Sequence, residues 1–286
     1  MSKLNPANPV ADLHLHSHYS DGTYTPQTLV ARALKTGLSC IALTDHDTLE
    51  GCAATQKLCE EAGIGFIAGV ELTAYALGEE VHILGLHVNL DNEPFLEKMR
   101  EFQEGRKNRI IEMVSLLNKE GVGLSVEEVL ELAHHCSAPG RMHIAHALLR
   151  GKHCKSHDEA FSRYIGEGKV AWAPKVNCSI EAAVELLHGA GAAALVAHPG
   201  MQRDRAAVCE YAIEKGIDGF ECYHPRHSNS TTRRLIELCQ AHQLLISGGS
   251  DCHGVEERIY MGSIRLPIQY VEQLNQWVYS KNLKKA

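Results

Sequence analysis

Residues 10–16 read Val-Ala-Asp-Leu-His-Leu-His. Polar and apolar side chains alternate here, as in a β-strand, where residues two apart point to the same face. His14 and His16 can therefore reach one metal ion together. Asp21 follows them on a Ser-Asp-Gly turn. Two histidines on a strand are often only a polar sheet edge, so this segment predicts a metal site only if the rest of the chain supplies further ligands.

Outside this segment, short apolar and β-branched stretches alternate with longer helical patterns. That order is typical of βα units around a parallel sheet. Several of the helical patterns end at a glycine, which is a helix stop. We predict seven strands, at Val10–Leu15, Cys40–Thr44, Gly65–Val70, Val81–Val88, Ala193–Ala197, Gly219–Cys222 and Leu244–Ser247.

Residues 93–169 interrupt the alternation. Phe95–Leu117 has the pattern of a long, charged amphipathic helix, and shorter helical stretches follow without a clear strand. We expect a discontinuous barrel over residues 8–92 and 170–270, with residues 93–169 forming a helical insertion or lid domain. On the long helix, the run Arg106-Lys107-Asn108-Arg109 is expected to face solvent, with guidance of an RNA strand towards the site as the alternative. The lysine-rich C-terminal tail is expected to be a frayed end.

Metal-competent side chains recur near the ends of the predicted strands. In a barrel or an open parallel sheet the carboxyl ends of the strands converge on one face, where active sites are found. His82 stands instead at the start of the fourth strand. Side chains alternate between the two faces of a strand, so His82 and His87 point to opposite faces and only one of them can easily reach the cluster. We expect this residue to be His82. The candidate ligands are His14, His16, Asp21, His46, Glu71, His82, His198, Asp251 and His253.

The residue types among the candidate ligands indicate which class of metal ion the site would bind. Histidines mixed with carboxylates, and no organised cysteines, favour divalent ions such as Mn, Zn or Fe over a cysteine-rich zinc site. Nine ligands exceed what one ion can use, and Glu71 has two oxygens with which to bridge. Two or three ions about 3.5 to 4 Å apart would form a phosphoester-cleaving site. Asp12, Asp45 and Asp47 are expected to orient the ligating imidazoles.

Composition narrows the partners and the compartment. The chain has 286 residues, with 28 Lys+Arg against 35 Asp+Glu and a formal charge of −7, so no global basic field exists to hold long duplex nucleic acid. The ten cysteines are scattered and form no Cys-x-x-Cys pair. With no signal pattern, and no apolar run of about 18 to 20 residues, we expect a cytoplasmic protein without a membrane partner.

Six motifs, in this order along the chain, resemble those of the PHP (polymerase and histidinol phosphatase) family. The resemblance covers nearly the whole sequence outside the extreme tails. It implies a distorted (β/α)7 barrel, in agreement with the seven predicted strands. The motifs are DLHLHSHYSDG at 12–22, TDHD at 44–47, GVE at 69–71, VHILG at 81–85, AHPG at 197–200 and GSDCH at 249–253.

The resemblance also implies a trinuclear metal centre. Manganese is the expected metal, with zinc, iron or magnesium as alternatives. Carried over position by position, the ligand sets are His14, His16, Glu71 and Asp251 for one ion, Glu71, His82 and His198 for a second, and Asp21, His46 and His253 for the third.

Within the family, the insertion and the run Pro139-Gly140-Arg141-Met142-His143 resemble one branch. That branch contains nucleoside 3′,5′-bisphosphate phosphatases and RNase AM-like 5′-3′ exoribonucleases. By this resemblance Arg141, Lys175 and His227 would bind substrate phosphates.

One departure from that branch concerns the residue after His-Pro-Gly. Many relatives have an arginine there, whereas this chain has Met201. We expect Arg203 or Arg205 to substitute, which leaves the exact substrate open.

The sequence therefore predicts a phosphoesterase. A metal-bound hydroxide would attack phosphorus in line, while Arg141 neutralises charge on the phosphoryl oxygens. The substrate would be a nucleoside 3′,5′-bisphosphate or a short 5′-phosphorylated RNA or DNA. Two alternatives stay open: a phosphatase of the histidinol-phosphate type, and a non-catalytic, metal-dependent nucleotide-binding protein.

Overall fold

The structure is a computed structural model that describes residues 9–174, 178–254 and 260–283. The strands in these ranges are β1 (Val10–Asp12), β2 (Cys40–Leu43), β3 (Gly65–Ala76), β4 (Glu79–Leu86), β5 (Ala193–Val196), β6 (Gly219–Tyr223), β7 (Leu245–Gly248) and β8 (Leu266–Pro267). The helices are α1 (Pro26–Thr36), α2 (Cys52–Ala62), α3 (Glu93–Lys119), α4 (Val126–Leu132), α5 (Arg141–Arg150), α6 (His157–Ala160), α7 (Ile180–Gly189), α8 (Arg205–Glu214), α9 (Asn229–His242) and α10 (Ile268–Leu283). A π-helical turn, Phe161–Ile165, and a 3₁₀ turn, Pro199–Met201, complete the helical elements.

The strands form one sheet in the order β7-β6-β5-β4-β3-β2-β1-β8. The sheet curls into a nearly closed barrel with helices around it, which confirms the predicted α/β barrel. Each of the seven predicted strands overlaps one observed strand. The short β8, which pairs antiparallel with β1, was not predicted.

The parallel sheet expected from the βα pattern is interrupted at β4. β1, β2 and β3 are parallel, as are β5, β6 and β7, but β4 is antiparallel to both of its neighbours. β3 and β4 are joined by Leu77 and Gly78, whose φ values of 51° and 81° are those of a type I′ turn. Since β4 runs backwards, its first residues lie beside the carboxyl ends of the parallel strands. This explains why His82, at the start of its strand, reaches the same rim as residues at strand ends.

Hydrogen bonds beyond the ends of β1 and β7 close the barrel. The amide of Leu13 donates to the Gly248 carbonyl at 3.1 Å, and the amide of Asp251 donates to the His14 carbonyl at 2.9 Å. Gly249 has no room for a side chain, because a Cβ there would overlap the backbone nitrogen and Cβ of His14. The first and last parallel strands are therefore joined at the rim that carries the candidate ligands.

The helices α3, α4, α5 and α6 lie in the segment that was expected to be an insertion. Seventeen buried apolar residues between Ile110 and Ala173 form a cluster of their own, separate from the two clusters of the barrel. Ser125 caps α4 through a reciprocal hydrogen-bond pair with Glu128, which fixes where that helix begins.

The C-terminal region contains α10, which the sequence did not predict. Val271 and Leu274 are buried against the barrel, and Lys281, expected to be frayed, lies within the helix with its Nζ 4.8 Å from the centre of the Trp277 ring. Within the described ranges, no helix combines the length and the apolar character that a membrane span requires.

Candidate metal centre

All nine predicted ligands lie at the rim where the barrel closes. Five of them are buried and four, Asp21, His82, Asp251 and His253, are partly exposed. The backbone there is unusual, because Asp47, His198 and Asp251 have φ values of 50°, 30° and 54°. Non-glycine residues rarely adopt such angles, and they cluster at functional sites.

Glu71, near the middle of β3, is the hub of this arrangement. Its side chain is 1% exposed and both carboxylate oxygens contact imidazoles. The contacts are 2.8 Å from Oε1 to His82 Nδ1, 3.1 Å from Oε1 to His198 Nε2, 3.1 Å from Oε2 to His46 Nδ1, 3.2 Å from Oε2 to His16 Nε2 and 3.4 Å from Oε2 to His14 Nε2. A carboxylate placed in this way can bridge two cations.

Three groups of side chains have ligand atoms that lie within 4.8 Å of one another, as a shared ion requires. The first group matches the set that the family resemblance implies for one ion. The second adds His16 to an implied set, and the third has His46 where the resemblance places His198. The groups are His14, His16, Glu71 and Asp251; His16, Asp21, His46 and His253; and His46, Glu71 and His82.

The donor atoms fit divalent cations. The Nε2 atoms of His14 and His16 face each other at 3.1 Å, a contact that needs a proton or a cation between the two nitrogens. Within the described part of the chain, Nδ1 of His16 and Nδ1 of His198 are buried without a hydrogen-bond partner. Imidazole nitrogens together with carboxylate oxygens are the ligands that Zn, Mn and Fe take in proteins.

Charge is strongly coupled across the cluster. Burial raises the pKa of the Glu71 carboxyl, but the imidazoles of His46 and His82 outweigh burial, and the pKa lies well below its usual range. Burial lowers the pKa of His14, yet the neighbouring carboxylates, Glu221 first among them, raise it well above 6.5. Protons therefore occupy positions in the metal-free protein for which cations would compete.

Two residues of the site were missed by the sequence reasoning. Glu221 in β6 is fully buried; its Oε1 lies 3.0 Å from His14 Nδ1, and its Oε2 accepts from the His198 amide at 2.7 Å. His224 is also buried, with Nε2 3.5 Å from Asp251 Oδ2. His224 follows the end of β6, so the strand-end rule could have found it. Glu221 gave a different signal, as the only charged residue within an apolar strand.

Three aspartates that were expected to orient imidazoles hold loops instead. Asp12 accepts from the amides of Ser250 and Gly262, and burial raises its pKa to about 6. Asp45 accepts from Ser17 and Ser20 and so fixes the loop that carries Asp21; Asp47 pairs with Arg106 at 2.5 Å. The orienting role expected of these three falls to Glu221.

Arg141 lies beside the cluster, at the first position of α5. Its Nη2 is 3.8 Å from Glu80 Oε1, and the same oxygen is 3.0 Å from His82 Nε2. One carboxylate therefore separates the guanidinium from a candidate ligand.

The other predicted substrate-binding residues are placed differently. His227 uses both ring nitrogens on the backbone, accepting from the Gly200 amide at 3.0 Å and donating to the Cys222 carbonyl at 3.0 Å. Arg203 is 73% exposed and pairs with Glu167 on the helical segment at 3.0 Å. Lys175 lies outside the described residues.

The expectation that Arg106 and Arg109 face solvent is wrong. Both are 6% exposed, whereas Lys107 and Asn108 between them are exposed. The two arginines share one face of α3 and point into the protein, because residues three apart lie on the same side of a helix.

Comparison with known proteins bears on this site directly. Residues 12–197 match the family described as PHP domain. The chain belongs to the PHP domain family. The matched region begins at β1 and ends just after β5, so it contains most of the candidate ligands and the whole helical segment. Membership makes this PHP domain a hydrolase that acts on phosphoester bonds.

The PHP domain is similar to several characterised proteins. It is 31% identical over 251 residues to the 5′-3′ exoribonuclease Rnm of Escherichia coli, covering 85% of each chain. It is 30% identical over 250 residues to the 3′,5′-nucleoside bisphosphate phosphatase of Chromobacterium violaceum, covering 86% of this chain and 88% of the relative. It is 29% identical over 261 residues to the phosphoribosyl 1,2-cyclic phosphate 1,2-diphosphodiesterase of Eggerthella lenta, covering 90% and 99%.

A solved structure shares the whole architecture of this PHP domain. A Bifidobacterium adolescentis protein, described as a metal-dependent phosphoesterase, superposes with a TM-score of 0.86 at 30% sequence identity, covering 94% of this chain and 96% of that one. The likeness therefore includes the helical segment as well as the barrel.

Proposed function

We propose that this PHP domain releases the 3′-phosphate of nucleoside 3′,5′-bisphosphates, or shortens 5′-phosphorylated RNA or DNA from the 5′ end, or does both. The observation that carries the proposal is Glu71, whose two buried oxygens contact five imidazoles. Similarity to the exoribonuclease and to the bisphosphate phosphatase supports the choice of substrate. We keep the cytoplasm as the expected compartment.

We propose three divalent ions, with manganese first and zinc, iron or magnesium as alternatives. When bound, such ions lower the pKa of coordinated water and neutralise charge on phosphoryl oxygens. The residues proposed to hold them are His14, His16, Asp21, His46, Glu71, His82, His198, Asp251 and His253.

The remaining roles belong to side chains around the cluster. Glu221 holds the ring of His14 in one orientation through its contact with Nδ1, which leaves Nε2 directed at Glu71 and Asp251. Arg141 would bind a phosphoryl oxygen and neutralise its charge, since its guanidinium lies close to the cluster and is partly accessible. The proposed lid, residues 93–169, would limit access of water.

A second candidate is hydrolysis of a cyclic phosphate. The Eggerthella lenta relative has that activity by name, and it matches this chain over 99% of its own length. The two functions need the same cluster and differ in the pocket beside it. A phosphatase of the histidinol-phosphate type and a nucleotide-binding protein without activity are further outcomes that the test can distinguish.

The test is a panel of substrates with the protein loaded with Mn, Zn or Mg. Phosphate or mononucleotide release is measured on adenosine 3′,5′-bisphosphate, a 5′-phosphorylated RNA trinucleotide, phosphoribosyl 1,2-cyclic phosphate and histidinol phosphate. Turnover of the first two is expected. Turnover of only the cyclic phosphate or only histidinol phosphate would make the substrate proposal wrong, and binding without turnover would make the enzyme proposal wrong.

Two histidine variants make the panel specific for the cluster. His14→Ala removes a buried candidate ligand and is expected to abolish turnover, whereas His242→Ala removes an exposed histidine at the end of α9 and should leave it unchanged. Activity retained in His14→Ala would contradict the ligand scheme.

A further inference from the structure

Four aromatic side chains outside the proposed ligand set form a continuous series of ring contacts. The ring centroids of Tyr19 and His18 are 4.5 Å apart, those of His18 and His135 are 5.4 Å apart, and those of His135 and His134 are 3.8 Å apart. We call these four residues the ring series. They connect the loop that follows β1 to the turn that follows α4, so two distant parts of the chain build one surface.

The first half of the ring series lies next to the metal centre. His18 and Tyr19 stand between the candidate ligands His16 and Asp21 in the sequence. The hydrogen bonds that Asp45 accepts from this loop fix its conformation. The two rings are therefore held beside the cluster by the same contacts that position one of its candidate ligands.

The second half of the ring series comes from the helical segment. His134 and His135 are exposed. Nδ1 of His134 lies 3.0 Å from the carbonyl oxygen of Glu131 and donates to it, which limits rotation of this ring. Ser137, shortly after the two histidines, donates from its hydroxyl to that of Thr48 at 3.1 Å. The turn that carries His134 and His135 is thus attached to the barrel.

The chemistry of the ring series fits a flat ligand. Two of its rings are exposed and two are partly exposed, so a ligand can reach their faces. Aromatic rings stack on nucleobases, and they do so with any sequence because every base has a π face. A metal ion is a poorer fit, since within the described residues these histidines are absent from the groups whose ligand atoms could share one ion.

We infer that the ring series stacks a nucleobase of the substrate, and so holds a single-stranded oligonucleotide whose 5′ end lies at the metal centre. This inference rests on the proposed function and names the surface that would bind the base beside the scissile bond. The formal charge of −7 gives the chain no general attraction for a polyanion. Contacts to bases would therefore supply part of the affinity that a basic surface supplies elsewhere.

The first test removes the ring at the centre of the series. His135→Ala is expected to raise KM for a 5′-phosphorylated RNA trinucleotide by about 10-fold, within the range for the loss of one stacked base, with kcat nearly unchanged. His135→Phe keeps a flat ring and is expected to restore KM. His242→Ala, which removes an exposed histidine outside the ring series, should change neither constant.

A matched substrate removes the bases instead of the ring. A 5′-phosphorylated trinucleotide of abasic sugars is expected to have, with the parent protein, a KM raised by about the same factor of 10. His135→Ala should raise the KM of this abasic substrate no further, because the contact between ring and base is already lost. An equal effect of His135→Ala on both substrates would overturn the inference, since it indicates a purely structural histidine.

A binding measurement separates this inference from the proposed function. Mn-loaded protein is mixed with a 5′-phosphorylated, phosphorothioate-linked trinucleotide that carries 2-aminopurine at each position in turn, and stacking is measured as quenching of its fluorescence. Quenching is expected with the parent protein and with His135→Phe, and should be lost in His135→Ala. If it follows this pattern but the parent hydrolyses no nucleotide, the proposed function fails and the stacking surface stands.

The inference is overturned, and the proposed function left intact, if the parent hydrolyses the trinucleotide but His135→Ala changes neither KM nor quenching. A variant that lowers kcat at constant KM, or a failure of His135→Phe to restore binding, also overturns it, because stacking needs only a flat ring. Should His135→Ala not fold, His134→Ala removes the exposed ring at the end of the series and is expected to raise KM in the same way; an unchanged KM there overturns the inference.

Discussion

Glu221 Oε1 lies 3.0 Å from Nδ1 of His14, and both side chains are fully buried. The contact fixes the ring so that Nε2 faces the cluster. Carboxylates that orient ligating histidines in this way also make the imidazole a stronger ligand. The pair joins β6 to the residues that follow β1, and its two members are 207 residues apart in the sequence.

Replacing this carboxylate should weaken metal binding. Glu221→Gln is expected to lower metal affinity by about 10- to 100-fold, the usual effect of losing a group that orients a ligand. Affinity is measured by competition with a chromophoric chelator. Glu237→Gln, at an exposed position on α9, is the matched control and should bind metal as the parent does. Equal affinities for all three proteins would contradict the orienting role of Glu221.

Replacing the Glu71 carboxylate should affect the binding of more than one ion. Glu71→Gln removes the charge that five imidazoles share, so it is expected to reduce the number of bound ions and to lower activity by more than about 100-fold, the upper end for orienting groups. Metal content is measured by elemental analysis after gel filtration. A variant that keeps the parent's stoichiometry would argue against a bridging carboxylate.

Metal-free protein should lose stability as the pH rises. In that form the pKa of His14 is raised well above 6.5 and that of His253 to about 10, in each case because nearby carboxylates outweigh the effect of burial. A histidine whose pKa is raised on folding contributes its full stabilisation of the folded state below the unfolded pKa of about 6.5. This contribution is lost as pH rises through the folded pKa. The thermal unfolding temperature in EDTA should therefore fall between pH 6.5 and 10.

Added metal should reverse that trend, because ions bind the neutral imidazoles and their affinity rises with pH. Unfolding temperatures with and without Mn should diverge over the same range. A flat profile for the metal-free protein would show that these histidines are not charged there.

Breaking the pair between Arg106 and Asp47 should destabilise the fold. Both side chains are buried, so Arg106→Gln leaves a buried carboxylate unpaired and is expected to lower the free energy of unfolding by about 3–5 kcal/mol. The double variant with Asp47→Asn should recover part of the loss. Urea denaturation provides the measurement, with the exposed Arg100→Gln as control. Additive effects of the two single variants would indicate that the pair is not coupled.

Gly249 should tolerate no side chain. In Gly249→Ala the added Cβ overlaps the backbone of His14 and forces apart the strands that close the barrel, which is expected to lower the free energy of unfolding by at least about 1–3 kcal/mol. Gly123→Ala is the control, since no atom lies within 4 Å of its Cβ position. If both variants unfold like the parent, the closure is looser than the hydrogen bonds imply.

The sequence was most informative for candidate ligands that directly follow a strand. His14, His198 and Asp251 follow strands, and polar residues at such positions are conspicuous between apolar runs. Glu221 was missed because it lies inside a strand, where only the tertiary arrangement reveals that its neighbour is His14, 207 residues away.

The direction of β4 and the burial of two arginines on α3 were less predictable than the positions of the strands. The reversal of β4 depends on a two-residue turn at Leu77, an uncommon residue for a positive φ, so the usual turn signal was weak. Arg106 and Arg109 have the spacing of an ordinary charged helix face. Their burial follows from how α3 packs between the barrel and the rest of the helical segment, which local sequence does not encode.

The closure of the barrel has a consequence for biosynthesis. Asp12 accepts a hydrogen bond from Ser250, 238 residues later in the chain. The candidate ligands His14 and Asp251 lie in the same two segments. A ribosome must release almost all of the barrel before His14 and Asp251 can meet. Nascent chains should therefore expose an incomplete set of candidate ligands until the segment that contains Asp251 has emerged.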